Sequence, residues 1–141
     1  MIKPVFEAVY KRLTATIPVT SLLSSGTNGV CLNVADENAA MPFLVFRMGS
    51  PGSIRYVLGT EYTEDMVVQF IAVTQGALAD ITALNILKAV EDAFVTKLPL
   101  GVGNEMAALK VSSVELMTDP DREDGAIVWE AILSMEFVTH T

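Results

Sequence analysis

Polar and apolar positions alternate most regularly near the C-terminus. Trp129, Ala131, Leu133, Met135 and Phe137 fall on one side of an extended chain, and Glu130, Ser134 and Glu136 on the other, with Ile132 alone interrupting the polar side. The stretch from Leu109 to Leu116 reads as a partner strand. An acidic turn ending in Gly125 joins the two. Near the N-terminus the period changes to that of a helix. Val5, Phe6, Val9, Tyr10, Leu13 and Ile17 form an apolar stripe, while Glu7, Lys11 and Arg12 lie opposite. Pro4 suits a first helical turn, and Pro18 is expected to end the helix by forcing Ile17 out of helical geometry. A second helix is predicted over 77–97, with Ile81, Leu84, Leu87, Val90, Phe94 and Leu98 at steps of three and four, and with Pro99 and Gly101 as its terminators.

The middle of the chain supplies further strands. Val30 to Val34 reads as a short one. Met41 to Met48 is almost continuously apolar, which implies cover on both faces. The glycines and proline of 49–59 predict a long loop with Arg55 and Tyr56 at its centre. Glu61 to Thr74 then predicts a long strand whose polar start projects beyond the domain body, and 101–104 a flexible linker. The order is helix, strand, strand, strand, helix, strand, strand. That pattern predicts a single α+β domain over 1–141, with a mostly antiparallel β-sheet packed against two main α-helices on one face.

Composition narrows the functional classes. The chain has 141 residues, enough for one sizeable core, and 51% of them are hydrophobic. With a mean hydropathy of +0.44, such a chain is expected to fold and to hide part of its apolar surface in an assembly. No apolar run approaches the roughly 18 residues needed to span a bilayer. Met1-Ile2-Lys3-Pro4 lacks the apolar core of a signal peptide, so synthesis in the cytosol is the expectation. Seventeen acidic residues against nine basic ones give a net charge of −8. This disfavours a nucleic-acid-binding module, which displaces counterions with basic patches, but suits a surface that DNA slides past.

Candidate chemistry is sparse. His140 is the only histidine and reads as a solvated residue of a fraying end, so neither a catalytic triad nor a histidine metal site can be assembled. Cys31 is the only cysteine and reads as a small buried hydrophobe. Asp119, Asp121, Glu123 and Asp124 cluster, but the spacing to Glu130 fails the calcium-loop pattern. The bland reading is a solvated turn; the functional one is an acidic contact surface for a basic partner such as Arg55 of a neighbouring copy. Glu61, Glu64 and Asp65 have no acid, base or nucleophile beside them in sequence. Trp129 alternates with core positions and reads as a core anchor, with an interface hot spot as the alternative. The methionines read as core filler, Met48 and Met66 being the two that could serve a contact surface. No catalytic residue, metal ligand or cofactor site is expected.

Several segments together carry a family resemblance. They are the N-terminal helix closing in Ile17-Pro18-Val19-Thr20-Ser21-Leu22-Leu23, then Met41-Pro42-Phe43-Leu44-Val45-Phe46, and Gly59-Thr60-Glu61-Tyr62-Thr63-Glu64 leading into a long strand. After Gly76 and a helix come Asp119-Pro120-Asp121, Gly125 and the closing strand Trp129 to Phe137. In this order the chain resembles the tail terminator, or tail completion, proteins of long-tailed bacteriophages, over nearly its full length. The resemblance implies a non-enzymatic virion protein, assembled in the host cytoplasm. It implies a hexameric ring on the head-proximal end of the tail tube that ends polymerisation, joins the head–tail connector and lets DNA through without specific binding. A domain of this length has a diameter of about 37 Å by size scaling, and six such bodies in a ring leave a hole about one subunit wide. A ring interface needs two different matching patches. Arg47, Arg55, Tyr56, Glu61, Tyr62 and Glu64 are the expected subunit or partner patch. Asp119, Asp121, Glu123 and Asp124 are expected to face the lumen or another ring. The rival readings are a different neck component, such as a head–tail connector, and, more remotely, a small-molecule-binding α+β domain.

Overall fold

The computed structural model describes residues 2–35, 39–57, 61–76, 78–96, 98–101, 104–119 and 128–140. Helix α1 spans Ile2–Ala15. Its stripe at steps of four, Val5, Val9 and Leu13, is fully buried, whereas Tyr10 and Ile17 are exposed. The helix stops before the position that Pro18 suggests. Thr16 is extended, with φ −93° and ψ 102°, and Pro18 lies in the first turn of a short helix α2, Ile17–Thr20. The proline therefore starts a helix, where its missing N–H is no loss, rather than ending one.

Among the described residues six strands form one sheet: β1 Val30–Leu32, β2 Phe43–Val57, β3 Glu61–Gln75, β4 Leu98–Gly101, β5 Asn104–Asp119 and β6 Val128–His140. Their spatial order is β1-β2-β3-β6-β5-β4. Only β1 and β2 run parallel; every other neighbouring pair is antiparallel. Helix α3, Ala79–Ala93, follows β3 and packs over β3 and β6. The fold is thus α+β, with a mostly antiparallel sheet and helices on one face. None of the helices among the described residues is long and apolar enough to cross a membrane.

Three elements differ from the sequence reading. First, the expected loop 49–59 is strand as far as Val57. Its alternation is hidden because β2 carries two extra residues: Met48 lies opposite Val68 but Ser50 opposite Val67, and Ser53 opposite Asp65. Such bulges tolerate the glycine and proline that punctuate this stretch. Gly49 is sterically required, since an added Cβ would come within 2.8 Å of Gln69 Cγ and 3.1 Å of Val67 Cγ1. Second, α3 ends at Ala93, and Leu98 to Gly101 pair with the start of β5 as strand β4 instead of completing the helix and linker. Third, His140 is not a loose tail: its backbone lies opposite both Thr63 and Glu105.

Alternation sorts the sheet into two faces. The helix side carries Leu44, Phe46, Val68, Phe70, Ala72, Leu133, Met135 and Phe137, packed against Ala83, Ile86, Leu87 and Val90 of α3. Helix α3 docks through its small residues Ala79 and Ala83, which brings it close and rotates Ile81 and Leu84, both assigned to the buried stripe by periodicity, out to solvent. The far face holds a smaller cluster of Cys31, Val45, Ile71, Val73, Val128 and Ile132 under Met41 and Phe43. This cluster explains why Ile132 interrupts the polar side of β6. Trp129 is only half-buried and is not the core anchor its alternation suggested. Cys31 is buried, as expected.

Aromatic rings tie the layers together. Phe6 meets Phe46 at 5.9 Å between ring centroids, Phe46 meets Phe70 at 6.5 Å, and Phe94 contacts both Phe70 and Phe137 at 5.5 Å. Phe94 is the first residue beyond α3, with φ −112°. Arg12 covers it, its guanidinium carbon 5.8 Å from the ring centroid. Arg12 Nη1 also donates to Ala93 O at 3.0 Å and to Thr96 Oγ1 at 3.2 Å. A cation bound to the last carbonyls of a helix satisfies orphan acceptors and opposes the dipole.

Two stability outcomes follow from this packing. Phe70→Ala is expected to lower unfolding free energy by about 3–5 kcal/mol in urea titration, because it empties the middle of the ring series. Arg12→Ala is expected to lose about 1–2 kcal/mol through its charge-assisted hydrogen bonds. Arg12→Lys should recover only part of that, since an ammonium cannot bridge Ala93 and Thr96 while covering Phe94.

Candidate functional site

The β2–β3 hairpin gathers most of the expected contact patch. In backbone register Ile54 lies opposite Glu64, Arg55 opposite Thr63, Tyr56 opposite Tyr62 and Val57 opposite Glu61. Arg55, Tyr56, Glu61, Tyr62 and Glu64 therefore share the hairpin end. Arg47 does not join them. It lies on the other side of both bulges, opposite Gln69 while Arg55 lies opposite Thr63, about 20 Å away along β3 at the usual rise, and its Nε–H donates to Gln69 Oε1 at 3.0 Å. Among the described residues β6 flanks β3 as far as Thr63, so Glu61 and Tyr62 are the described residues of β3 that lie beyond it.

The acidic turn belongs to the opposite end of the sheet. Asp119 closes β5 opposite Val128, which in turn lies opposite Gln75. Asp121, Glu123 and Asp124 lie outside the described residues. The twelve-residue span from Thr63 to Gln75 corresponds to about 40 Å at the usual strand rise. Asp119 and the hairpin end are thus held apart by the length of the central strands.

Both flanks of the sheet carry open backbone. Strand β1 pairs only with Leu44 to Phe46, and among the described residues no strand covers the outer side of β2 from Arg47 to Val57. Strand β4 reaches only Asn104 to Met106, and no described strand covers the outer side of β5 from Ala107 to Asp119. On that second edge Val114, Leu116 and Met117 are 51%, 39% and 44% exposed. Long open edges with exposed apolar residues invite pairing with another chain. The sequence reading did not single out these three, although β5 runs without a register shift from Ser113 to Asp119.

Little else in the described structure offers chemistry. No group of three His, Cys, Asp or Glu among the described residues could hold a metal ion. Thr74 is buried and its hydroxyl donates to Ala79 O at 2.6 Å. Lys88 and Asp92 form an exposed pair one helical turn apart at 3.0 Å, and the hydrogen bond to Asp92 raises the ammonium pKa above its ordinary value. Met66 is buried in the main core, and Met48 is partly buried and packs against it. An open cleft of about 270 Å³ lies between α1 and β4, with Lys11, Arg12, Thr16, Leu98 and Pro99 on its walls.

No protein-family model matches the chain, and no curated protein does. Its fold does have a solved counterpart. A chain from the structure described as "Virion of native gene transfer agent (GTA) particle" matches with a TM-score of 0.69, at 20% identity, over 96% of this chain and 93% of that one, a likeness of fold across nearly the whole of both.

Proposed function

We propose that this chain is a structural, non-enzymatic component of a phage-like virion, and specifically a tail terminator. In this role it forms a ring, six-membered in the reading given above, on the head-proximal end of the tail tube. The ring ends tube growth and presents the surface that receives the connector, while DNA passes through its hole. The likeness to a chain of a gene transfer agent particle supports the virion assignment.

The observation that carries the ring is the pair of open edges. Strands β2, β3, β6 and β5 alternate in direction, so β2 and β5 run opposite ways at the two flanks. Adding the β5 edge of one copy to the β2 edge of the next keeps that alternation. Each copy then offers two different edges to two neighbours, which is the head-to-tail arrangement that closes into a ring. Backbone pairing of this kind satisfies groups the isolated chain leaves to water. A net charge of −8 suits a lumen through which DNA moves without sticking.

Purified protein, alone and mixed with tail tubes of the same particle, is expected to give six-fold rings or a cap on one tube end in light scattering and negative-stain images. Folded monomers that ignore tubes and instead bind a head adaptor would replace this reading with that of a connector. Arg55→Ala with Tyr56→Ala is expected to weaken assembly at least about tenfold, as loss of interface anchors does, with an unchanged circular dichroism spectrum. Unaltered assembly would remove the hairpin end from the interface.

A further inference from the structure

The two open edges of the sheet do not stand at the same height. Strand β1 covers the outer side of β2 at Leu44 to Phe46. Among the described residues β2 is therefore open from Arg47, opposite Gln69, to Val57, opposite Glu61. Strand β4 covers the outer side of β5 at Asn104 to Met106. Strand β5 is open from Ala107, whose partner Val138 lies opposite Asp65, to Asp119, whose partner Val128 lies opposite Gln75. Measured along β3, the open edge of β2 is centred on Asp65 and that of β5 on Phe70. Two copies that join these edges must therefore slide past one another along the strands.

Face and space together select one slide. Residues directly opposite in an antiparallel pair share a face of the sheet. Arg47 is two residues on from Val45 and so belongs to the face without helices, where Val45 clusters with Val128 and Ile132. On β5 the positions of that face are Glu115, Met117 and Asp119, opposite Ile132, Glu130 and Val128. With Arg47 against Glu115 of a second copy, Val57 would fall on Glu105, which already pairs with Pro99 of β4. With Arg47 against Met117, Thr118 and Asp119 would run onto Phe46 and Val45, which already pair with β1. With Arg47 against Asp119 both ends are clear, and Val57 comes level with Lys110. This register is a slide of six residues, about 20 Å, over four strands about 19 Å wide in all. Closing such a sheet on itself inclines its strands by about 45° to the ring axis, at the upper end of the tilt that barrels adopt.

We propose that β2 of one copy adds to β5 of a second copy with Arg47 opposite Asp119. This rests on the reading above that the chain assembles with itself through those edges, and it names the register and the charge pair that fixes it. Arg47 is exposed, and its Nε–H bond to Gln69 holds the guanidinium on the helix-free face beside the open edge. Phe46 O accepts from Asn33 N at 2.9 Å on the outer side, so the backbone groups of Arg47, the next residue, turn inward to β3. The pair that Arg47 makes outward is thus of the non-hydrogen-bonded kind, with Cα atoms about 4.5 Å apart. Opposite charges at that separation favour this register over slipped ones, which bare backbone edges tolerate. The same register lays the neighbouring β2 along residues 113–119, the stretch that holds the exposed Val114, Leu116 and Met117.

Disulfide trapping between copies reads the register. Equal amounts of full-length Arg47→Cys and Asp119→Cys proteins, mixed and oxidised, are expected to give covalent heterodimers. Arg47→Cys mixed with Met117→Cys should give at least about tenfold fewer, because a shift of two residues exceeds the Cα separation that a disulfide spans. The native Cys31 is buried. Arg47→Asp is expected to weaken self-association about tenfold at low salt, by setting two acids opposite each other. Adding Asp119→Arg to the same chain should restore it, with circular dichroism confirming the fold of each variant. Links through Met117 in place of Asp119 overturn this register and leave the edge pairing standing. Rings that form with neither link overturn the register and the pairing of these two edges, and leave the ring itself standing. Links in open filaments that never close support the register and count against the ring. Folded monomers that neither associate nor link overturn both.

Discussion

Phe94 filling the space between Phe70 and Phe137 is the contact on which the other elements depend. Phe94 lies four residues after Val90 on the same buried face, and α3 stops at Ala93 as the ring enters between the two strands. The stop exposes the last carbonyls of α3, and Arg12 of α1 meets them while lying over the same ring. The chain then turns directly into β4, whose Leu98 enters the core. One aromatic residue thus sits where a helix ends, where two helices meet and close to the start of an edge strand. Ala79 and Ala83 are buried as well, and such small residues let a helix approach a sheet closely.

The sheet answers a second constraint. Its two central strands keep one register from Thr63 opposite His140 to Gln75 opposite Val128, without a shift. The strands on either side each carry two extra residues, and they do so at the same level. The shifts in β2 face Asp65 to Val68 of β3, the shifts in β5 face Ser134 to Phe137 of β6, and Met66 lies opposite Phe137. Bulges increase local twist and bend the strand that contains them. A regular spine is thus flanked by two strands that are bulged at one height.

Much of the architecture was legible in the sequence because the strongest signals belong to the elements most constrained by burial. The alternation of β6 and the helical stripe of Val5, Val9 and Leu13 needed no tertiary knowledge. Where the reading failed, two requirements competed for the same residues. Gly49, Pro51 and Gly52 are loop formers in isolation, yet the sheet uses them to absorb extra residues in a strand. Pro18 can close a helix or open one, and only the extended Thr16 decides between them. Ile81 and Leu84 fit a helical period as well as Ile86 and Val90 do; close approach through alanines, which a period cannot express, selects the buried set. Of the expected contact patch, Arg55, Tyr56, Glu61, Tyr62 and Glu64 are near in sequence and share a hairpin end, whereas Arg47 comes earlier in β2 and lies opposite Gln69. The exposure of Val114, Leu116 and Met117 has no signature in the alternation of β5.

The unshifted pairing of β3 with β6 also has a mechanical meaning. The two ends of the sheet, hairpin and acidic turn, lie along the strand direction. A force applied between those ends pulls the central strands past one another along their length, so their cross-strand hydrogen bonds bear it together rather than opening one after another from an end. The molecule is therefore built as a stiff strut along this axis. Across it, where bulges bend β2 and β5 and each outer edge is open, the same sheet is compliant. A ring made from such units would transmit axial thrust with little deformation while letting each member adjust sideways to its neighbours.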